Sequence, residues 1–157
     1  MASAGRTQAF TLVARVATAA VMCAGASACQ TTAEGDFAAS ADKAELSSTA
    51  ANTIADDMVN SLAEVVGPGS GTVVVKSDRS PFGTALVSSL QRRGYALATP
   101  DQKAQGGTVI QLGYAIDGFE GSVLARLSTP SVDLGRAYAR TATGAAPSSP
   151  LSIMRHN

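Results

Sequence analysis

The feature that most limits what this chain can build is an uncharged run, Val16 to Ala28, that ends on Cys29. Arg6 and Arg15 supply positive charge ahead of its end, and the run closes Gly25-Ala26-Ser27-Ala28-Cys29. This is the layout of a secretory leader, with small residues at the cleavage site. The run is too short to cross a bilayer as a stable helix. Residues 1–28 therefore read as a signal peptide, and only the chain from Cys29 onward is available to fold.

Two cleavage readings fit. Small residues in front of Cys29 suit a lipoprotein signal peptidase, which cuts after the cysteine thiol has been acylated. Ala26-Ser27-Ala28 is also the A-x-A site of the ordinary enzyme, which would give simple secretion. Cysteine arithmetic favours lipidation. The chain has 2 cysteines, and cleavage removes Cys23, so Cys29 has no internal disulfide partner. Acylation accounts for a lone thiol in an oxidising compartment. The acyl chains of a mature lipoprotein would hold the protein at a membrane permanently. Gln30 follows the cysteine, and the absence of aspartate there permits sorting to the outer membrane in Gram-negative bacteria.

Past the leader, residues 29–42 are small and polar without apolar periodicity, as expected of a flexible tether. Residues 43–142 are expected to form one small α+β domain, with two helices packed on a mostly antiparallel sheet of about five strands. The first helix is expected over Lys43 to Val66, with Ala51, Ile54, Ala55, Met58, Leu62 and Val65 on one face and Asp56, Asp57, Ser61 and Glu64 away from it. Gly67-Pro68-Gly69 ends it. A strand over Thr72–Lys76 precedes the best-punctuated helix in the chain: Ser80 caps it, Pro81 occupies its first turn, Phe82, Leu86 and Leu90 form its stripe, and Gly94 stops it. Strands are expected over Tyr95–Ala98, Thr108–Ile116, a segment carrying Val123, Ala125 and Leu127, and Leu134–Thr141. Asp117-Gly118-Phe119-Glu120-Gly121 makes a hairpin loop, so the later strands read as an antiparallel meander. Residues 143–157 are expected to be an irregular tail. Aromatic residues make up only 4% of the chain and tryptophan is absent, so the core is modest.

Chemistry is sparse. The only histidine is His156, near the end of the weakly patterned tail. No second histidine or free cysteine accompanies it, so no metal site, cofactor site or nucleophilic dyad is expected. Asp56 and Asp57 are neighbours, and neighbours on a helix do not face each other, so a solvated face is the reading for both. Gly67 to Gly71 precedes a strand rather than joining a strand to a helix, and it lacks the Gly-Lys pair of a phosphate loop. With 12 basic and 12 acidic residues, there is no overall charge to attract nucleic acid. Alternation puts Arg136, Tyr138 and Arg140 on one side of the last strand, with Arg126 near them on the strand before. That pattern fits either a solvated sheet face or a protein interface, since tyrosine and arginine are favoured interface anchors.

The stretch Asp78-Arg79-Ser80-Pro81-Phe82-Gly83-Thr84-Ala85-Leu86 through Arg93-Gly94-Tyr95-Ala96-Leu97 resembles the TrbH family of conjugal transfer lipoproteins. The order of features agrees: a lipoprotein leader, the Ala-Asp-Asp-Met-Val segment at Ala55–Val59, the Phe-Gly-x-Ala-Leu helix with its Arg-Gly-Tyr exit, Leu112-Gly113-Tyr114, and Arg136-Ala137-Tyr138. The resemblance covers Cys29 to about Thr141 and leaves the tail without a counterpart. It implies a non-enzymatic component of a mating-pair formation apparatus, a type IV secretion system, at the periplasmic face of the outer membrane. Its partners would be channel proteins of the TrbG-like and TrbI-like classes, with no small-molecule substrate and no direct contact with nucleic acid. The alternative is a lipoprotein pilot or assembly factor of another envelope export machine.

Overall fold

The computed structural model describes residues 40–69, 71–102 and 107–157. The leader, the cleavage site at Ala26, Ser27 and Ala28, the candidate lipidation site Cys29, and the expected tether up to residue 39 lie outside the described residues.

Helix α1 (Ser48–Val66) begins where Ser47 Oγ accepts the amide of Ala50 at 3.2 Å. It ends at Gly67, whose N–H donates to the Ala63 carbonyl at 3.0 Å. Apolar spacing extends this helix back to Lys43. The cap at Ser47 and a left-handed φ of 46° at Glu45 cut it short, and Ala44 and Leu46 enter the core from an irregular link instead. Ala51, Ile54, Ala55, Met58 and Leu62 are fully buried as the spacing requires. Helix α2 (Pro81–Arg92) is capped by Ser80, whose Oγ accepts the Gly83 amide at 3.0 Å, and Phe82, Leu86 and Leu90 are fully buried.

Two short strands, β1 (Ala41–Asp42) and β2 (Gly71–Val75), precede α2, and β3 (Ala96–Ala98) follows it. The longer β4 (Thr108–Phe119), β5 (Ser122–Ser128) and β6 (Val132–Thr141) come next, and the chain closes with β7 (Gly144–Pro147) and β8 (Ser152–Arg155). Their order across the sheet is β3-β2-β4-β5-β6-β7, with β1 beside β4 and β8 beside β6. Pairing from β4 onward is antiparallel. The β4–β5 turn is Glu120-Gly121, both with positive φ (46° and 79°), as a two-residue hairpin that follows the strand twist demands.

The sheet differs from the sequence expectation in two respects. It has eight strands rather than about five, and β1, β2 and β3 run parallel to their neighbours rather than within a meander. The parallel part arises because α2 carries the chain from β2 over to β3, and parallel neighbours need such a crossover. The segment expected to be an irregular tail supplies β7 and β8, and Ala41–Asp42, at the end of the expected tether, supplies β1.

Both helices cover one face of the sheet. Val73, Val75, Leu112, Tyr114, Ile116, Val123, Ala125, Leu127, Val132, Leu134 and Tyr138 share a single core with the helix stripes. Phe82 and Tyr114 meet with ring centroids 5.3 Å apart at a 58° tilt, a favourable aromatic geometry. Among the described residues no helix covers the opposite face.

Candidate functional site

The four residues singled out on β5 and β6 separate onto two faces. Ala125 stands opposite Arg136 and Arg126 opposite Gly135, so Arg126 points away from the side that carries Arg136 and Tyr138. The expected single stripe does not form. Arg136, Tyr138 and Arg140 share strand parity with the buried Val132 and Leu134, and that parity puts them on the helix side of the sheet, with Tyr138 buried, Arg136 half-buried and Arg140 exposed near the strand's end.

Tyr138 has no exposed surface, so it serves the core rather than an interface. Its hydroxyl donates to Asp57 Oδ2 at 2.6 Å, and Arg136 Nη1 donates to the same oxygen at 2.9 Å. Arg136 Nε also donates to the Ser149 carbonyl at 3.1 Å. Arg140 donates to the Ala44 carbonyl. Asp57 is therefore not on a solvated face but ties α1 to β6. Its neighbour Asp56 turns to Arg92 and Ser89 on α2. Burial first, and then the Asp57 carboxylate, push the Tyr138 hydroxyl well above its ordinary titration range.

A second polar knot joins β1, β4 and the start of α2. Asp78 Oδ1 accepts from Tyr114 Oη at 2.6 Å and from the Ser80 amide at 3.2 Å and its hydroxyl, while Oδ2 accepts the Asp42 amide at 3.2 Å. Burial raises the Asp78 carboxyl, but these hydrogen bonds outweigh it and hold the group below its usual value. Burial, followed by the bond to Asp78, pushes Tyr114 up to about 12. Gly83 is required here, since a Cβ would lie 2.5 Å from Tyr114 Oη and 2.6 Å from the Asp78 carbonyl. Both knots use their polar atoms on each other, as buried polar groups must, and they act as stitches between elements. Among the described residues no group of three or more His, Cys, Asp or Glu side chains is placed to hold a metal ion. His156 lies 3.3 Å from Asp133.

The face opposite the helices carries a trough that sequence reading missed. It holds about 410 Å³ and has Gly135 and Ala137 in its floor, with Leu124 and Arg126 on one side and Ser152 and Met154 on the other. The one signal in the sequence was Gly135, a glycine inside a strand.

The family model described as "Conjugal transfer protein TrbH" matches residues 31–157. The chain belongs to the TrbH family. A relative from Sinorhizobium fredii (strain NBRC 101917 / NGR234), which bears the name "Probable conjugal transfer protein TrbH", is 46% identical over 135 residues, covering 83% of this chain and 90% of the relative. No solved structure matches significantly. The TrbH match runs through β7 and β8, which corrects the expectation that the C-terminal segment has no family counterpart. A TrbH-family chain takes part in conjugal transfer, and among the described residues no helix is long and apolar enough to cross a membrane.

Proposed function

We propose that this TrbH-family chain is an outer-membrane lipoprotein of a conjugative type IV secretion apparatus, acylated at Cys29 and stabilising the channel core complex through which DNA passes. The observation that carries the reading is family membership over residues 31–157 behind a leader that closes on Cys29. The role is mechanical. Anchoring raises the local concentration of the domain beside its partners, so a weak contact suffices to hold an assembly together. Fully extended, the chain between Cys29 and Ser40 reaches at most about 40 Å, which keeps the domain close to the inner leaflet. Its partners are the channel proteins of the TrbG-like and TrbI-like classes. The polar knots at Asp57 and Asp78 suit such a part, since they fix the shape of the domain.

Deleting the gene and measuring plasmid transfer, with complementation by wild type and Cys29→Ala, tests the reading. Loss of transfer restored only by wild type is expected, with labelled palmitate entering the wild-type chain alone. Unchanged transfer on deletion would overturn the channel role, and full rescue by Cys29→Ala would overturn the role of the anchor.

A further inference from the structure

We infer that a cleft at the carboxyl ends of β2 and β3 is the docking site for Phe37 of this chain's own N-terminal segment, which lies outside the described residues; this goes beyond the proposed function and does not depend on it. The cleft holds about 400 Å³ between those strand ends and α2. Val75, Val87, Leu97, Ala98 and Pro100 give it an apolar lining, with Gln91 at its rim. Val87 and Leu97 pack against the core on one side only and stay half-buried. Apolar side chains grouped around a hollow in this way mark a contact that another apolar group completes.

The sequence holds one such group within reach. Between Cys29 and Lys43 every residue is small or polar except Phe37. A phenyl ring in that setting gains by leaving water.

The fold aims the chain at the cleft. β1 and β2 both run parallel to β4 along one of its edges, and β5 holds the other edge. β2 ends beside Leu112 and β1 starts beside Ala115, about 10 Å farther along β4. Followed backward from Ala41, the chain therefore heads for the end of β2. The Asp42 amide donates to Asp78 Oδ2 at 3.2 Å, and Asp78 directly follows Ser77, which lines the cleft. The link from Phe37 to Ala41 spans up to about 14 Å, enough to seat the ring.

Charge does not choose the occupant, since Lys76 and Asp101 line the cleft with one charge of each sign. Reach and apolar character do. A ring on so short a link has an effective concentration on the order of millimolar, which favours it over a free partner. A small ligand fits less well, because Ser61, Ser89 and Thr129, the buried polar side chains among the described residues, all lie outside the lining, whereas small-molecule sites converge placed polar groups on their ligand. For a chain anchored at Cys29 as proposed, docking cuts the free span from about 40 Å to about 30 Å and draws the domain toward the membrane.

The test uses the full chain in donor cells. A photo-crosslinking residue replaces Gln91, exposed at the rim, or, as a control, Asn52 on the outer side of α1, and the adducts are sized on gels and mapped by mass spectrometry after trypsin. Position 91 is expected to join the α2 peptide to the peptide ending at Lys43, in a product the size of one chain, and position 52 is not. Phe37→Ala should cut that product about tenfold, the loss expected when a buried ring is removed, while Phe37→Leu should keep most of it. Both substitutions lie outside the folded core, so neither result is confounded by misfolding. A product unchanged by Phe37→Ala, one only the size of two chains, one only with another protein, or none at position 91 would each overturn the docking. Transfer and palmitate labelling are read separately, so the proposed function stands or falls on its own results.

Discussion

Tyr138 gives its hydroxyl hydrogen to Asp57 across 2.6 Å, joining a late strand to the first helix over a sequence separation of 81 residues. Arg136 reaches the same carboxylate oxygen, so one side chain on α1 satisfies two polar groups on the buried side of β6. Removing either donor and removing the acceptor have unequal costs. Tyr138→Phe keeps the packing and loses one hydrogen bond, at about 1 kcal/mol; Asp57→Ala leaves a buried hydroxyl and a half-buried guanidinium without their acceptor, at about 2–4 kcal/mol. Urea unfolding of the domain should rank the variants in that order, and the double variant should cost less than the sum.

Two glycines, one in α2 and one in β6, should respond in opposite ways to the same methyl group. At Gly83 a Cβ meets Tyr114 Oη and the Asp78 carbonyl at 2.5 and 2.6 Å, so Gly83→Ala should destabilise by about 1–3 kcal/mol through overpacking. At Gly135 it meets nothing, so Gly135→Ala should be neutral or gain up to about 1 kcal/mol from the stiffer unfolded chain. Thermal melts of the pair read this directly.

The C-terminal strands are structural. β8 pairs with β6 from Val132 to Gly135, and His156 donates its amide to the Ser131 carbonyl at 2.9 Å. Truncation after Pro150 should bare the edge of β6, lower the melting midpoint and raise aggregation, as uncovered edges do. Light scattering during expression and refolding checks it.

Acid should loosen the knot at Asp78. Burial raises its carboxyl and the hydrogen bonds from Ser80, Tyr114 and Asp42 lower it further than burial raises it, so the folded value lies below the ordinary 3.8. The unfolded chain then takes up a proton before the folded one. The stabilisation is complete above the unfolded value and fades as the pH falls through the folded one. Urea midpoints should drop below about pH 4, and Asp78→Asn should flatten that drop while lowering the midpoint at neutral pH.

Alkali acts through the tyrosines. Burial raises all three, Tyr95, Tyr114 and Tyr138, above the ordinary 10.0, with Tyr114 at about 12. A raised folded value means the stabilisation is full below the unfolded value and is lost as pH climbs toward the folded one. Phenolate absorbance should therefore rise in step with loss of the circular dichroism signal above pH 10. A tyrosine ionising at its ordinary pH in the intact domain would contradict the described packing.

Local punctuation made much of this fold readable. Ser80-Pro81 and Gly94 bracket α2 because capping and a turn are decided by a few adjacent residues, and Glu120-Gly121 folds the β4–β5 hairpin for the same reason. Strand partners are a different matter. Nothing local distinguishes a strand that pairs in parallel across α2 from one in a meander, and β1, β7 and β8 are too short, and β7 too rich in alanine and proline, to show a period. Arg136 and Tyr138 point inward because Val132 and Leu134 set the parity of β6, while Arg140, farther along, stays exposed. Read from Leu134 alone, polarity at those positions suggested solvent; the partner that makes burial tolerable, Asp57, lies on a helix far back in the sequence. The trough was hidden because its walls come from β5 and β8, on either side of β6.

The small strand β1 also fixes where load enters the domain. Lys43 donates its amide to the Ile116 carbonyl at 2.8 Å, the Asp42 amide is held by Asp78, and Arg140 grips the Ala44 carbonyl. Tension arriving from the chain ahead of Ser40 meets these contacts before it reaches α1, and because β1 lies alongside β4 rather than at the end of it, pulling along the strand strains its bonds together instead of one after another. A two-residue strand is thus placed as a clasp: a pull on the chain ahead of it would pass into the sheet while the helices behind it keep their packing.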